Sequence, residues 1–353
     1  MPPMLIPAKA GTGRAPGGHT HPTGDNGSML IVTPNPAVDH TVRLSELRPG
    51  EVLRAGDGTS AAGGKGGNVA RAAGCLGAQA TVLAPVPEIG GEHLRALYRA
   101  EGFTLVTVPV PGRVRTCTAL LEDGGRVTLI NEPGAHLGTA DWNRLMATLA
   151  ELIDDPDTPG PIVCSGSMPP GAPVDGYARI VLAGHRAGRE VLVDASGPAL
   201  RAAIEAGADL VCPNLSEAES VIAPAGADPA QAGERVHEDG DDVPERALAA
   251  ANAVRDLGAG WAVVTAGAAG AAICGPDVAD WAPVPGVRVR NPIGAGDSFL
   301  AGLVTARESG RDWPAAIRRG LAAGSASVEQ HGAGMVDPAR VEELEAAIAA
   351  RHG

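Results

Sequence analysis

The residues best suited to chemistry lie late in the chain, in Asn291-Pro292-Ile293-Gly294-Ala295-Gly296-Asp297-Ser298, followed by a helical pattern from Phe299 to Arg307. Pro292 stops any strand that precedes it, and the glycines allow positive φ or close backbone approach. Asp297 then falls at a helix start, where unpaired N–H groups and the helix dipole make an anion site. A carboxylate beside an anion site is in electrostatic conflict unless it takes up a proton during turnover. The pair suits a general base that activates a hydroxyl while the N–H groups hold a transferring phosphoryl group. An Asp capping a helix after a Gly turn explains the same residues without any chemistry.

A second segment, Gly63-Gly64-Lys65-Gly66-Gly67-Asn68, also opens a helix. It is not a Walker P-loop, since Gly66 follows Lys65 where Ser or Thr is needed, and with no good strand before it the dinucleotide fingerprint fails too. What remains is a backbone that a sugar or phosphate can approach closely, with one cation and one amide beside it. A flexible turn with a solvated Lys is the bland alternative. Thr33-Pro34-Asn35-Pro36-Ala37-Val38-Asp39 follows the first strand-like run, and strand ends are where α/β proteins place ligand groups. Asp39 there can accept two sugar hydroxyls, or can be no more than an Asp in a Pro-rich turn.

These segments need a scaffold. Short apolar runs at Leu30 to Thr33, Thr81 to Ala84, Ile162 to Cys164, Val191 to Val193, Leu210 to Cys212 and Ala262 to Thr265 read as strands. Helical periods over Asn68 to Leu76, Asp141 to Ile153, Tyr177 to Ala187 and Ala247 to Leu257 alternate with them. Alternation of this kind implies an α/β fold with a mainly parallel sheet covered on both faces. Residues 38–56 and 104–130 break the rhythm and read as strands, with a turn at Asp123-Gly124-Gly125. Two β insertions of this kind predict a small sheet that lies as a lid over the ligand end of the main one.

The 353 residues suffice for one large domain, and 44% hydrophobic content excludes a disordered chain. Aromatics are only 2%, so the core must be built from Ala, Val, Leu and Ile. A net charge of −13 argues against a general nucleic-acid or membrane-surface binder, but not against a small basic pocket. The five cysteines are odd in number, widely spaced and without a CxxC pair, which excludes zinc-ribbon and disulfide scaffolds. With no apolar run of membrane length and no signal-peptide stretch, the expectation is a cytoplasmic protein with reduced thiols. Residues 1–28 read as a mobile tail, and the acidic stretch 224–245 as a solvated loop.

Taken in order, Asn35-Pro36-Ala37-Val38-Asp39, the Gly63–Asn68 helix start, Ser165-Gly166-Ser167-Met168-Pro169-Pro170-Gly171, Pro213-Asn214-Leu215-Ser216-Glu217 and Gly294-Ala295-Gly296-Asp297 resemble the ribokinase-like (PfkB-type) sugar kinases. Within them the pattern is most similar to the 1-phosphofructokinase and tagatose-6-phosphate kinase branch, from about Met29 to the last helix. The resemblance implies a three-layer α/β/α sandwich with a β lid over residues 29–348, and ATP- and Mg²⁺-dependent phosphorylation of a sugar phosphate. It puts Asp297 in the base position and Gly294, Ala295 and Gly296 in the anion hole. Asp39, Gly64, Lys65, Gly66, Asn68 and Ser165 match substrate positions, and Arg115 matches a lid arginine that grips the phosphate already on the sugar. Asn214 and Glu217 match the Asn-x-x-Glu pair used around Mg²⁺, through water, and the nucleotide phosphates, although a helix capping box has the same spacing. Thr265, Gly267 and Gly270 match the nucleotide turn.

Two departures stand out. Gly67 occupies a position where the family usually has a bulky apolar residue, which predicts a helix start loosened by about 1 kcal/mol. Arg115-Thr116-Cys117 resembles tagatose-6-phosphate kinases, whereas Ile130-Asn131-Glu132-Pro133-Gly134 resembles 1-phosphofructokinases. Fructose 1-phosphate is the first expectation, tagatose 6-phosphate and fructose 6-phosphate the alternatives, and a catalytically silent sugar-phosphate-binding protein the rival from another class. Exposed lid strands invite pairing with a second copy of the chain.

Overall fold

A computed structural model describes residues 28–223 and 240–352. The expected tail, apart from Ser28, and most of the acidic stretch lie outside the described residues. Ser28 already belongs to the first strand, and residues 243–245 of the stretch are helical.

The apolar runs form a nine-stranded sheet. Its members are β1 (Ser28–Val32), β4 (Gln79–Ile89), β5 (Thr104–Arg113), β8 (Ile162–Ser165), β9 (Val191–Asp194), β10 (Leu210–Val211), β11 (Trp261–Thr265), β12 (Ala271–Gly275) and β13 (Val278–Ala282). The spatial order is β13-β12-β11-β10-β9-β8-β1-β4-β5, parallel throughout except for the β11-β12-β13 meander. Side chains alternate between two buried layers, as the strand period requires. Met29 and Ile31 face one layer, with α1 (Lys65–Cys75), α2 (Gly91–Ala100), α8 (Ala295–Glu308), α9 (Trp313–Ser327) and α10 (Pro338–His352). Leu30 and Val32 face the other, with α3 (Thr139–Asp154), α4 (Gly176–Arg186), α5 (Gly197–Glu205), α6 (Leu215–Ile222) and α7 (Val243–Asp256). This is the expected three-layer sandwich. Among the described residues no helix is long and apolar enough to cross a membrane.

The chain builds outward from β1 to β4 and β5, then returns to β8 on the other side of β1. The order therefore reverses between β1 and β8, and the crevice at their C-terminal ends is where such sheets take ligands. Thr33-Pro34-Asn35 leaves β1 there and Gly166 leaves β8.

The small sheet has the order β3-β2-β6-β7, with β2 (Ala37–Leu44), β3 (Thr59–Gly63), β6 (Arg115–Glu122) and β7 (Val127–Asn131). Its composition corrects the expected lid in three ways. Residues 45–58 carry no strand. Thr59–Gly63 is a strand and precedes the glycines, contrary to expectation; it is short, Ala- and Gly-rich, and pairs antiparallel with β2. Residues 104–113 belong to the large sheet, paired in parallel with β4 from Thr81–Thr104 onward. Pro109 and Pro111 survive in β5 because it is the edge strand, and Pro85 and Pro87 in β4 lie beyond the residues that pair with β1. The chain then passes directly from one sheet to the other at Val114, with no helix to mark the boundary. The hairpin turn at Asp123-Gly124-Gly125 is present, closed by the Gly125 N–H donating to Glu122 O at 2.8 Å.

Candidate active site

Two helix N-termini meet at the crevice. Gly294 caps α8 in the left-handed region at φ +81°, and a Cβ there would stand 2.7 Å from Gly334 N. Only glycine satisfies both conditions. Asn291, buried, fixes the turn that leads in: its Oδ1 accepts the Ile293 N–H at 3.1 Å and its Nδ2 donates to His331 O at 3.0 Å. The first-turn amides of a helix have no intrahelical acceptor, and a Cβ on Gly296 would meet nothing within 4 Å. The Gly296 backbone therefore borders open space, as an anion cradle requires.

Asp297 is the third residue of α8 and only 5% exposed. Its Oδ2 accepts from Asn68 Nδ2 at 2.9 Å. Burial pushes its carboxyl up to about 7, and the nearby Asp194 carboxylate pushes in the same direction. Lys65 and the Asn68 hydrogen bond oppose these effects, and Asp39 adds to them. The late and early aspartates thus share one electrostatic environment. Asp39 is itself raised by burial, against the Gly64 N–H that donates to its Oδ1 at 3.2 Å and the charges of Arg71 and Arg115. A Cβ on Gly63 would lie 2.2 Å from Asp39 Oδ1, so this strand end must be glycine.

Lys65 Nζ donates to Asp194 Oδ1 at 2.9 Å and stands 3.9 Å from Glu217 Oε1. Desolvation pulls the ammonium down, but the carboxylates of Asp194, Glu217 and Asp297 outweigh it and hold Lys65 above the usual lysine range. It is a permanent cation at neutral pH. Asp194 is not among the residues that the sequence singles out. Its signal is a lone acid at the end of the apolar run Val191-Leu192-Val193, on the same sheet face as Leu192 and α1.

The remaining expected residues fall in four places. Asn214 and Glu217 form a capping box at the start of α6: Asn214 Oδ1 accepts the Glu217 N–H at 2.8 Å, and Glu217 Oε2 accepts the Asn214 N–H at 2.9 Å. Thr265 ends β11 beside Asn214, joined to it by an isolated parallel bridge. Gly267 borders open space, whereas Gly270 packs so closely on Ala282 O that a Cβ would sit 2.4 Å away. Ser165 ends β8 in register with Asp194; its hydroxyl is buried on the α1 face and makes no hydrogen bond among the described residues.

Arg115 stands apart from the Asp297 cluster. Its Nε and Nη2 donate to Asn35 O at 3.1 and 2.8 Å, and its Nη1 donates to Glu132 O at 3.3 Å. It lines a small pocket with Asn35, Pro36, Ala135 and Pro169. Asn35, a second residue missed from sequence, gathers three of the singled-out segments: its Nδ2 donates to Pro133 O at 3.0 Å and to Ser167 Oγ at 3.1 Å.

Gly67 corrects an expectation. A Cβ there would lie 2.6 Å from Ala62 O and 3.3 Å from Tyr98 Oη. The glycine lets β3 lie directly on α1, and a bulky residue has no room.

The crevice thus holds a buried acid pushed up to about 7 beside a helix-start backbone that borders open space and a lysine ammonium. Residues 32–340 match the family model described as pfkB family carbohydrate kinase, so the chain belongs to that family and is a kinase acting on a carbohydrate hydroxyl. It is similar to a 1-phosphofructokinase of Haloferax volcanii, at 32% identity over 83% of this chain and 88% of that one. A 1-phosphofructokinase of Xanthomonas campestris is 34% identical over 78% and 83%. Among solved structures, the tetrameric inhibited form of Escherichia coli phosphofructokinase-2 superposes with a TM-score of 0.76 at 26% identity, covering 91% of this chain and 99% of that one.

Proposed function

We propose that this kinase transfers the terminal phosphoryl group of ATP to the free primary hydroxyl of a ketohexose phosphate, with fructose 1-phosphate as the substrate. The observation that carries the reading is Asp297: buried, held at about 7, and next to the open Gly296 backbone. An acid poised there can take a hydroxyl proton at physiological pH and release it afterwards. The 294–296 amides and the Lys65 ammonium supply positive charge where the transferring group becomes more anionic. Asp39 and Asn68 orient sugar hydroxyls. Arg115, in exchanging its carbonyl partners for phosphate oxygens, grips the existing phosphate in bidentate fashion. The two 1-phosphofructokinase relatives support fructose 1-phosphate over fructose 6-phosphate.

The oxygen donors suit Mg²⁺. Glu217 uses Oε2 for the capping box and turns Oε1 toward Lys65, while Asn214 Oδ1 already accepts two hydrogen bonds. Glu217 would therefore hold the ion through water, as Mg²⁺ prefers when phosphates supply its other ligands. When bound, it neutralises charge on the phosphate oxygens. Thr265 and Gly267 border the nucleotide. The small sheet acts as a lid on one catalytic domain, limiting ATP hydrolysis by excluding water. Leu129 and Ile130 on its edge strand β7 are 45% and 56% exposed and suit pairing with a second lid. Free, largely buried thiols suit the cytoplasm.

The test is ATP-dependent turnover across a panel of hexose phosphates, followed by ADP release. The expected result is the highest kcat/KM with fructose 1-phosphate. Binding of sugar phosphate with no ADP release from any member of the panel would overturn catalysis in favour of the silent binding protein.

A further inference from the structure

The Asn68 amide is bonded on both sides, to Asp297 and to an arginine in a partly buried ion pair. Arg71 lies one turn further along α1 and is 9% exposed. Its Nη1 donates to Asn68 Oδ1 and to Ala333 O, both at 2.7 Å, and its Nη2 donates to Ala62 O at 2.6 Å. Its Nε and Nη2 donate to Glu101 Oε2 and Oε1 at 2.7 and 3.1 Å. Glu101 Oε1 in turn accepts the Ala62 N–H at 2.8 Å. One ion pair thus holds both backbone groups of Ala62, in the lid strand that runs into the Gly64 cap of α1.

The chemistry allows only one orientation of the amide. A guanidinium has donors only, so Asn68 must turn its oxygen toward Arg71, and its NH₂ is left to face the Asp297 carboxylate, which accepts. A flipped amide would set NH₂ against guanidinium and oxygen against carboxylate, two repulsive contacts in a buried place.

We infer that Arg71 and Glu101 are positioning residues for the transfer: they lock the Asn68 amide with its NH₂ toward Asp297 and tie that orientation to lid strand β3. The inference rests on the proposed reading of Asp297 as the base. The groups that bear on Asp297 are Asn68 and Lys65 from α1, Asp194 from β9 and Asp39 from β2. Of these, the Asn68 contact is the one whose geometry Arg71 sets directly. Asp39 also feels the Arg71 charge, so the test keeps the cation.

Arg71→Lys preserves the charge but has one nitrogen in place of the fork, and cannot reach Glu101, Ala62, Asn68 and Ala333 together. The measurement is kcat against pH for wild type, Arg71→Lys, Asn68→Ser and the double variant, with melting temperature alongside. Losing an NH₂ donor disfavours the ionised carboxylate, so the acidic limb should move to higher pH, by about half to one unit. That corresponds to kcat down about three- to tenfold at pH 6, with recovery to within about twofold at pH 9. In the Asn68→Ser background, Arg71→Lys should shift the limb no further. Glu101→Gln, which sets an NH₂ against the Arg71 donors, should move the limb in the same direction and serves if Arg71→Lys does not fold. A purely structural role lowers the melting temperature and leaves the limb in place; that outcome, or additive shifts in the double variant, overturns the inference. A wild-type profile with no limb that Asp297→Asn removes sinks the base assignment instead, so the two failures are distinguishable.

Discussion

Asp297→Asn should stabilise the protein while stopping its chemistry, and the size of the stabilisation should depend on pH in a defined way. The ordinary carboxyl value is 3.8 and the folded protein raises Asp297 to about 7. Below about pH 4 the carboxyl is protonated in both folded and unfolded chains, so an amide of the same shape is nearly neutral. Between about 4 and 7 the unfolded chain ionises first, and wild-type stability falls relative to the variant as pH rises. Above about 7 both states are ionised and the gap levels off at roughly 4 kcal/mol, from some three pKa units at 1.36 kcal/mol each, as an upper bound. The substituted amide keeps an oxygen that can accept from Asn68. Thermal melts of wild type and variant from pH 4 to 9 check this, with ADP-release kinetics on the same samples. Melting curves should converge at pH 4 and separate by several degrees at pH 8, while kcat of the variant falls by at least about 100-fold. A melting difference that stays constant across this range would refute the reasoning, because a buried acid of this kind must titrate.

Arg115→Ala should raise KM for the sugar phosphate by about 10- to 100-fold with a smaller change in kcat, since a phosphate clamp remote from the reacting hydroxyl acts mainly in binding; steady-state kinetics with fructose 1-phosphate would show an unchanged KM if the clamp is elsewhere. Gly67→Ala sets two effects against each other. Helix propensity gains about 1 kcal/mol, but the new methyl meets the Ala62 carbonyl at 2.6 Å, and overpacking against backbone costs about 1–3 kcal/mol. A lower melting temperature is expected, and a higher one would show that β3 can withdraw. If two lids pair as proposed, size-exclusion chromatography with light scattering should give a dimer mass for wild type and a monomer mass for Ile130→Asp on the exposed lid edge; a monomeric wild type, or an unchanged mass in the variant, would remove the lid as the pairing surface.

The large sheet was legible because its signal is local. Ile162-Val163-Cys164, with helical periods before it at Asp141 to Ile153 and after it at Tyr177 to Ala187, can only be a buried strand. The composition of the lid was not. Thr59-Ser60-Ala61-Ala62-Gly63 has almost no β signature of its own and is a strand because β2 lies beside it. Residues 104–113 carry strand character that fits either sheet, and the parallel partner β4 decides the matter. Gly67 reads as a weakness in a helix taken alone, and as a necessity once β3 lies across it.

The same division runs through the site. Glycine placement and the run Gly294-Ala295-Gly296-Asp297 determined that an acid would sit at a helix start next to open amides, because backbone sterics act over a few residues whatever the rest of the chain does. That the acid titrates near neutrality was decided only by folding. Burial and the proximity of Asp194, Lys65 and Asn68 set that value, and Asn68 lies 229 positions away in sequence. Coulomb and desolvation effects depend on distance in space and on exclusion of water, and neither exists until the sheet has brought its strand ends together.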